Sequence, residues 1–228
     1  MLFGIKPRLP ETDIHCHLLP GVDDGFRKAE DSLAALSKMA AAGVRKVVFT
    51  PHLNPDVYPE GSEAKMRAVY EEFSKMIPDS LGIETSLAAE YMVVRDFEER
   101  AEDPSLLVYP DDSILIEMSY FYASENLEKA IFALVMAGKK PILAHPERYL
   151  YLASNLKAFD TYKDMGCRFQ MNLMSAAGSY GPASMKILKY LAERGWYDFA
   201  ATDLHSIPQL DSILSALSHR KTAKLLPY

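Results

Sequence analysis

The sequence predicts an α/β fold in which a parallel sheet carries its helices on the outside, as either a closed barrel or a doubly wound sheet. Two observations predict it. Short β-branched or apolar runs alternate with segments of helical periodicity along the whole chain. Several helical segments stop on a glycine just before the next strand (Gly43, Gly138, Gly166 and Gly195), the residue that most readily turns the chain at a helix C-terminus. The 228 residues suit one domain, and no linker, low-complexity stretch or short repeat divides them. We read residues 1–228 as that domain, with 1–11 an N-terminal extension and 207–228 a C-terminal helix and tail.

The elements follow in order. Residues 12–15 form a short first strand. Residues 31–42 place Leu33, Leu36, Met39 and Ala40 at helical spacing and stop at Gly43. Residues 44–50 (VRKVVFT) are a β-branched strand closed by Pro51. Residues 63–76 set Met66, Val69, Tyr70, Phe73 and Met76 on one helical face. Residues 83–89 are the third strand, 96–101 a short helix and 113–118 (SILIEM) the fourth strand. Helices over 127–137, 156–165, 183–194 and 209–217 then interleave with strands over 141–144, 168–172 and 199–202. Seven strands result, and the longest loops follow His17, His52, Glu90 and Asn172.

Composition removes several function classes. Hydrophobic residues make up 49%, which suits a packed globular core. Against 25 Lys and Arg stand 31 Asp and Glu, a net charge of -6 that disfavours electrostatic binding to nucleic acid or anionic lipid. The N-terminal MLFGIKPRLPETD lacks the apolar run of a signal peptide, and no stretch approaches the length of a membrane span. Two cysteines without a Cys-x-x-Cys pair point to a reducing compartment, so a cytoplasmic location with no membrane insertion is expected. A cysteine phosphatase needs Arg six positions after its Cys. Cys16 has Val22 there and Cys167 has Leu173, so both read as packing residues. Neither a Gly-x-Ser-x-Gly elbow nor a Walker-type loop is present.

The ligand-type residues fall in one place on this map. His15 and His17, two apart in a strand, face one side, and Cys16 faces the other. Asp24 lies in the following loop. His52, Glu90, Glu117 and His145 sit at or just after the next strand ends, and Asp203 and His205 end the last strand. In a parallel α/β fold those ends share the face where active sites are built. Five His and four carboxylates exceed the needs of one ion and suit two or three divalent ions of the Mn, Fe or Zn type. His219 is the exception and is expected at the surface.

The run DIHCHLLPGVDDG (13–25) resembles the opening motif of the PHP (polymerase and histidinol phosphatase) superfamily. TPH (50–52), AAEY (88–91), LIEMS (115–119), AHPERY (144–149) and TDLH (202–205) extend the likeness in order over residues 13 to about 206. The chain is most similar to the branch of metal-dependent bacterial protein-tyrosine phosphatases linked to capsular and extracellular polysaccharide synthesis. That resemblance implies a distorted (β/α)7 barrel and about three divalent ions, usually manganese with iron or zinc as alternatives. It implies ligands at His15, His17, Asp24, His52, Glu90, Glu117, His145, Asp203 and His205, none of which is replaced. It also implies Arg148 as the phosphate-binding arginine, and a substrate that is a tyrosine-phosphorylated protein, in particular a bacterial tyrosine autokinase.

Arg148, His145 and Asp203 are therefore the candidate catalytic residues. Three bound ions against four carboxylates leave a formal site charge of about +2, which attracts a phosphate dianion. A bound water whose pKa falls to about 7 would supply the hydroxide for in-line attack on phosphorus. The second basic residue often found after the final Asp-x-His is absent from SIPQLDS, which leaves open whether another group, such as Arg27 or Lys28, helps hold phosphate. Tyr120, Phe121, Tyr122, Tyr149 and Tyr151 could form an aromatic rim or serve as packing. The chain runs 23 residues past His205, shorter than the resemblance implies, which leaves open whether the last helix is shortened. Histidinol-phosphate phosphatase activity and a non-catalytic binding scaffold are the alternatives; retention of all nine positions argues against the scaffold.

Overall fold

The computed structural model describes residues 8–218; His219 lies outside them. The chain runs through β1 (Thr12–Cys16), α1 (Ala29–Ala41), β2 (Lys46–Phe49), β3 (His52–Leu53), α2 (Glu63–Ser74), β4 (Glu84–Leu87) and β5 (Glu90–Met92). It continues through β6 (Ser113–Glu117), α3 (Leu127–Met136), β7 (Lys140–Ala144), α4 (Ala158–Asp164), β8 (Arg168–Asn172) and the single turn α5 (Leu173–Ala176). It then forms α6 (Gly181–Glu193), β9 (Tyr197–Ala201) and α7 (Ile207–Leu217). Every strand pairing is parallel.

The expected second and third strands, 44–50 and 83–89, appear as β2 and β4, and each is followed by a short further strand, β3 and β5, that carries on in the same direction. β2 stops at Phe49 and β3 resumes at His52, because Pro51 has no amide proton to continue the ladder. Its carbonyl still accepts from Glu90 N at 3.1 Å. The lower segments form a sheet in the order β1-β2-β4, and the upper ones join β3-β5-β6-β7-β8-β9. Seven positions around the ring result. The ring closes where Cys16 bridges Leu204 in parallel. His17 N donates to Leu204 O and Asp203 N donates to His15 O, both at 2.9 Å.

At the other end β4 and β6 are not neighbours among the described residues. Tyr109 fills that gap. Its amide donates to Ser113 O at 2.9 Å, and its hydroxyl donates to Ile14 O at 2.7 Å. Its ring joins Val48, Ala88, Leu115, Ile142 and Ala144 in a small apolar cluster of its own. This plugged gap is the physical form of the distorted (β/α)7 barrel.

The main core lies between the barrel and its helices. Leu36 and Met39 of α1, Ile131 and Leu134 of α3, Leu188 and Leu191 of α6, and Leu210, Ile213 and Leu217 of α7 are all buried. The helical spacing that exposes one face to water buries these on the other. Each such side chain contributes about 1.5–3 kcal/mol relative to exposure. α7 begins earlier than the apolar spacing alone suggests. Ser206 caps it by accepting from Gln209 N, and Pro208 occupies its first turn.

Candidate metal centre and active site

The strand ends deliver the ligand-type side chains to one mouth of the barrel. β3 and β5 pair in the register His52 to Glu90, and β5 and β6 in the register Met92 to Glu117. These pairings put three of the nine side by side. His15 and His17 arrive from β1 and the residue after it. His145 follows β7, and Asp203 and His205 follow β9. His145 (φ 33°) and Asp203 (φ 49°) both turn left-handed, a conformation rare for residues with a Cβ and concentrated at functional sites.

Glu90 is the hub. Its Oε2 lies 3.3 Å from His15 Nε2, 3.4 Å from His17 Nε2 and 3.1 Å from His52 Nδ1, and its Oε1 lies 2.9 Å from His145 Nε2. Asp203 Oδ1 sits 3.4 Å from His15 Nε2 and 3.3 Å from His17 Nε2. Asp24 Oδ1 stands 3.5 Å from both His52 Nε2 and His205 Nε2, at the exposed edge. Glu117 Oε1 is 3.0 Å from His52 Nδ1. Donor atoms converge in three groups: His17, Asp24, His52 and His205; His15, His17, Glu90 and Asp203; His52, Glu90 and Glu117. His145 joins through Glu90. All nine expected residues are thus brought together.

The chemistry of this donor set fits divalent ions. Burial opposes the ionised forms of Glu90 and Asp203, yet the imidazoles around them hold both well below the usual carboxylate range. Burial and the neighbouring His17 oppose protonation of His52, but Glu90 and Glu117 push it up to about 10. Cations would displace the imidazole protons and play the same neutralising role. Glu90 Oε2, Glu117 Oε2 and His52 Nδ1 are buried without a hydrogen bond of acceptable geometry despite their close neighbours. His15 Nε2 and His17 Nε2 lie 3.2 Å apart, an arrangement that suits two nitrogens aimed at a shared ion. Imidazole mixed with carboxylate favours transition metals over Ca or Mg.

Several supporting residues were not singled out in the sequence. The carboxylate of Asp23 is enclosed: its Oδ2 takes His17 Nδ1 at 2.8 Å and His52 N at 3.0 Å, and its Oδ1 takes Gly25 N at 2.9 Å. Nothing in the Asp23-Asp24 doublet says which of the two turns inward. Gln170 and Asn172 of β8 are both buried. Gln170 Oε1 faces His15 Nδ1 at 2.9 Å and accepts from His145 N at 3.3 Å. Asn172 Nδ2 donates to Asp203 Oδ2 at 2.6 Å. The signal was available: these residues are two apart at a strand end, the spacing that marks His15 and His17. Such partners orient ligands and tune their basicity.

Arg148 ends a 3-10 turn, Pro146–Arg148. Its guanidinium lies 4.2 Å from the Tyr120 ring centre and 4.7 Å from that of Tyr180. Its Nη1 donates to Asp203 Oδ2 at 2.9 Å. Buried Glu147 anchors the turn, accepting from Asn172 N at 2.8 Å and Tyr197 Oη at 2.9 Å. Of the expected aromatic rim, Tyr149 is fully buried and donates to Ala144 O, while Tyr151 donates to Ser119 O. These two are packing residues. Tyr120 reaches His145 Nε2 at 3.2 Å, and Phe121 and Tyr122 stay exposed. Arg27 and Lys28 border a shallow pocket with His205. Both cysteines are buried, and burial pushes the Cys167 thiol up to about 12.

Fold and site together define a class: α/β-barrel proteins with a candidate multi-ion centre at the carboxyl ends of their strands. Within it, the chain belongs to the CpsB/CapC family of capsular polysaccharide synthesis, whose family model matches residues 11–223. It is 28% identical over 196 residues to the tyrosine-protein phosphatase YwqE of Bacillus subtilis, covering 86% of this chain and 77% of that one. It is 30% identical over 203 residues to the tyrosine-protein phosphatase CpsB of Streptococcus pneumoniae, covering 86% and 83%. A solved structure from work on YwqE and CpsB, described as unique metal-dependent tyrosine phosphatases, superposes with a TM-score of 0.80 at 26% identity. The superposition covers 93% of this chain and 90% of that one. Among the described residues no helix is long and apolar enough to cross a membrane.

Proposed function

We propose that this protein is a metal-dependent phosphatase that hydrolyses phosphotyrosine on proteins. The convergence of five imidazoles and four carboxylates beside Arg148, in a chain of this family, carries the reading. His15, His17, Asp24, His52, Glu90, Glu117, His145, Asp203 and His205 would hold the ions, manganese first, with iron or zinc as alternatives. Ions bound there would supply Lewis acidity and a nucleophile at neutral pH.

The chain's own residues do the rest. Arg148 binds phosphoryl oxygens through its planar fork, which two aromatic rings and Asp203 hold in place. His145 and Asp203 serve both as ligands and as the groups that orient Tyr120 and Arg148. Asp23 adds an enclosed carboxylate, so the positive surplus at the site is one charge smaller than the sequence reading expects. A phenolate is a comparatively good leaving group, so no strong general acid is required. The tyrosine-phosphatase relatives and the capsule family support a tyrosine-phosphorylated protein as substrate; a bacterial tyrosine autokinase is the one we propose.

The test is a rate comparison on protein purified with its native metal. Phosphotyrosine peptides should be hydrolysed with higher kcat/KM than histidinol phosphate, and elemental analysis should find about two to three transition-metal ions per chain. A preference for histidinol phosphate would refute the assignment.

A further inference from the structure

A groove of about 920 Å³ opens from the candidate centre. Asp24, His52 and Glu117 form its inner end, and segments 54–58, 92–95 and 119–126 supply its walls. A cavity of that size takes a whole drug-sized ligand, whereas a phosphotyrosine side chain fills only its inner part. Large apolar side chains stand uncovered along the remainder: Phe121 is 90% exposed, Tyr122 68% and Val57 59%. Apolar surface gathered beside a site, unlike apolar residues scattered singly, marks a binding surface. Tyr120 is committed to Arg148 and His145, and Tyr58 stacks on His52 with ring centres 5.9 Å apart, so Phe121 and Tyr122 are the groove aromatics left to meet a ligand. The charged residues of this outer part are Asp56, Glu125 and Arg95. Two carboxylates against one guanidinium leave this outer part net negative, which disfavours an acidic neighbour in a bound peptide, whereas an apolar one would cover Phe121 or Tyr122.

We propose that this groove receives the peptide flanking the phosphotyrosine, and that Phe121 and Tyr122 select apolar or aromatic neighbours over acidic ones. The inference rests on the phosphotyrosine-phosphatase reading and adds its substrate class.

Two phosphotyrosine peptides test it, identical except beside the phosphotyrosine, where one carries Leu or Phe and the other Asp or Glu. para-Nitrophenyl phosphate serves as a substrate without flanks. The metal-loaded wild type should favour the apolar peptide by about tenfold in kcat/KM, chiefly through KM. The double variant F121S/Y122S should bring the two peptides within about twofold, and its peptide to para-nitrophenyl phosphate ratio of kcat/KM should fall. Equal rates on both peptides in the wild type, or a preference that survives in the double variant, overturns the proposal. A wild type that turns over histidinol phosphate but neither peptide removes the underlying activity, and the proposal with it; that result is distinct from equal peptide rates.

Discussion

At Arg148, three neighbours set the position of one guanidinium. The rings of Tyr120 and Tyr180 lie 4.2 and 4.7 Å from it, and Asp203 accepts from its Nη1 at 2.9 Å. What remains is a planar donor set directed by packing rather than by a flexible stem. Arg148→Lys keeps the charge but loses the fork and the stacking. It should lower kcat/KM by roughly 10- to 100-fold at unchanged metal content, measured by steady-state kinetics beside elemental analysis. Turnover equal to wild type would remove Arg148 from phosphate binding. Gln170 works at one remove: it faces His15 Nδ1 and holds the His145 backbone. Gln170→Leu should weaken metal affinity by about 10- to 100-fold, read by titrating the protein against a chelator of known affinity. Unaltered affinity would make Gln170 a packing residue only.

Among the elements, the loop between β1 and α1 carries the tightest constraint. It turns back so that Phe26 N donates to His17 O at 3.1 Å, and Gly25 lies against His17. A Cβ at Gly25 would fall 2.2 Å from His17 O and 2.6 Å from His17 Cβ. Both atoms belong to a buried residue that cannot retreat. Gly25→Ala should therefore destabilise the fold by about 1–3 kcal/mol. Calorimetry would see this as a Tm lowered by roughly 2–10 °C, and the displacement of Asp24 and His17 should reduce bound metal. A variant with wild-type Tm and metal content would show that the loop yields easily. The split strands act at the same scale. Pro51 breaks the second strand just before His52, and the upper segment then pairs in register with Glu90.

For the molecule as a whole, the barrel encloses many carboxylates and imidazoles at one end and an apolar plug beneath them. A centre assembled only by folding ties metal binding to stability. Ions present at about a thousandfold over their dissociation constant add about 4 kcal/mol. Chelator treatment should then lower Tm by roughly 10 °C, with recovery on adding manganese. A Tm indifferent to both treatments would argue against a bound centre. The apolar cluster around Tyr109 fills the barrel beneath the ligands and reaches Ala88 and Ala144, close to Glu90 and His145 in the chain.

Much of the fold and site was legible before any coordinates. Helix spacing, strand alternation and closing glycines are local, and chain geometry alone dictates them. They located the seven ring positions and put nine ligand-type residues at strand ends. Asp23, Gln170, Asn172 and Tyr180 escaped because their roles depend on partners that arrive from other strands; His15 and Gln170 are 155 residues apart. The packing of Tyr149 and Tyr151 could not be told from a binding rim either, since an aromatic residue after a strand looks the same in sequence whether it turns in or out. The sequence by itself determined a parallel α/β fold and the chemistry available at its strand ends, and its motifs, through the family they resemble, chose the barrel over a doubly wound sheet. Only the tertiary structure decided which carboxylate of the Asp23-Asp24 pair is enclosed, where the ring splits and what orients Arg148, because these are settled by contacts across the barrel and not by neighbours along the chain.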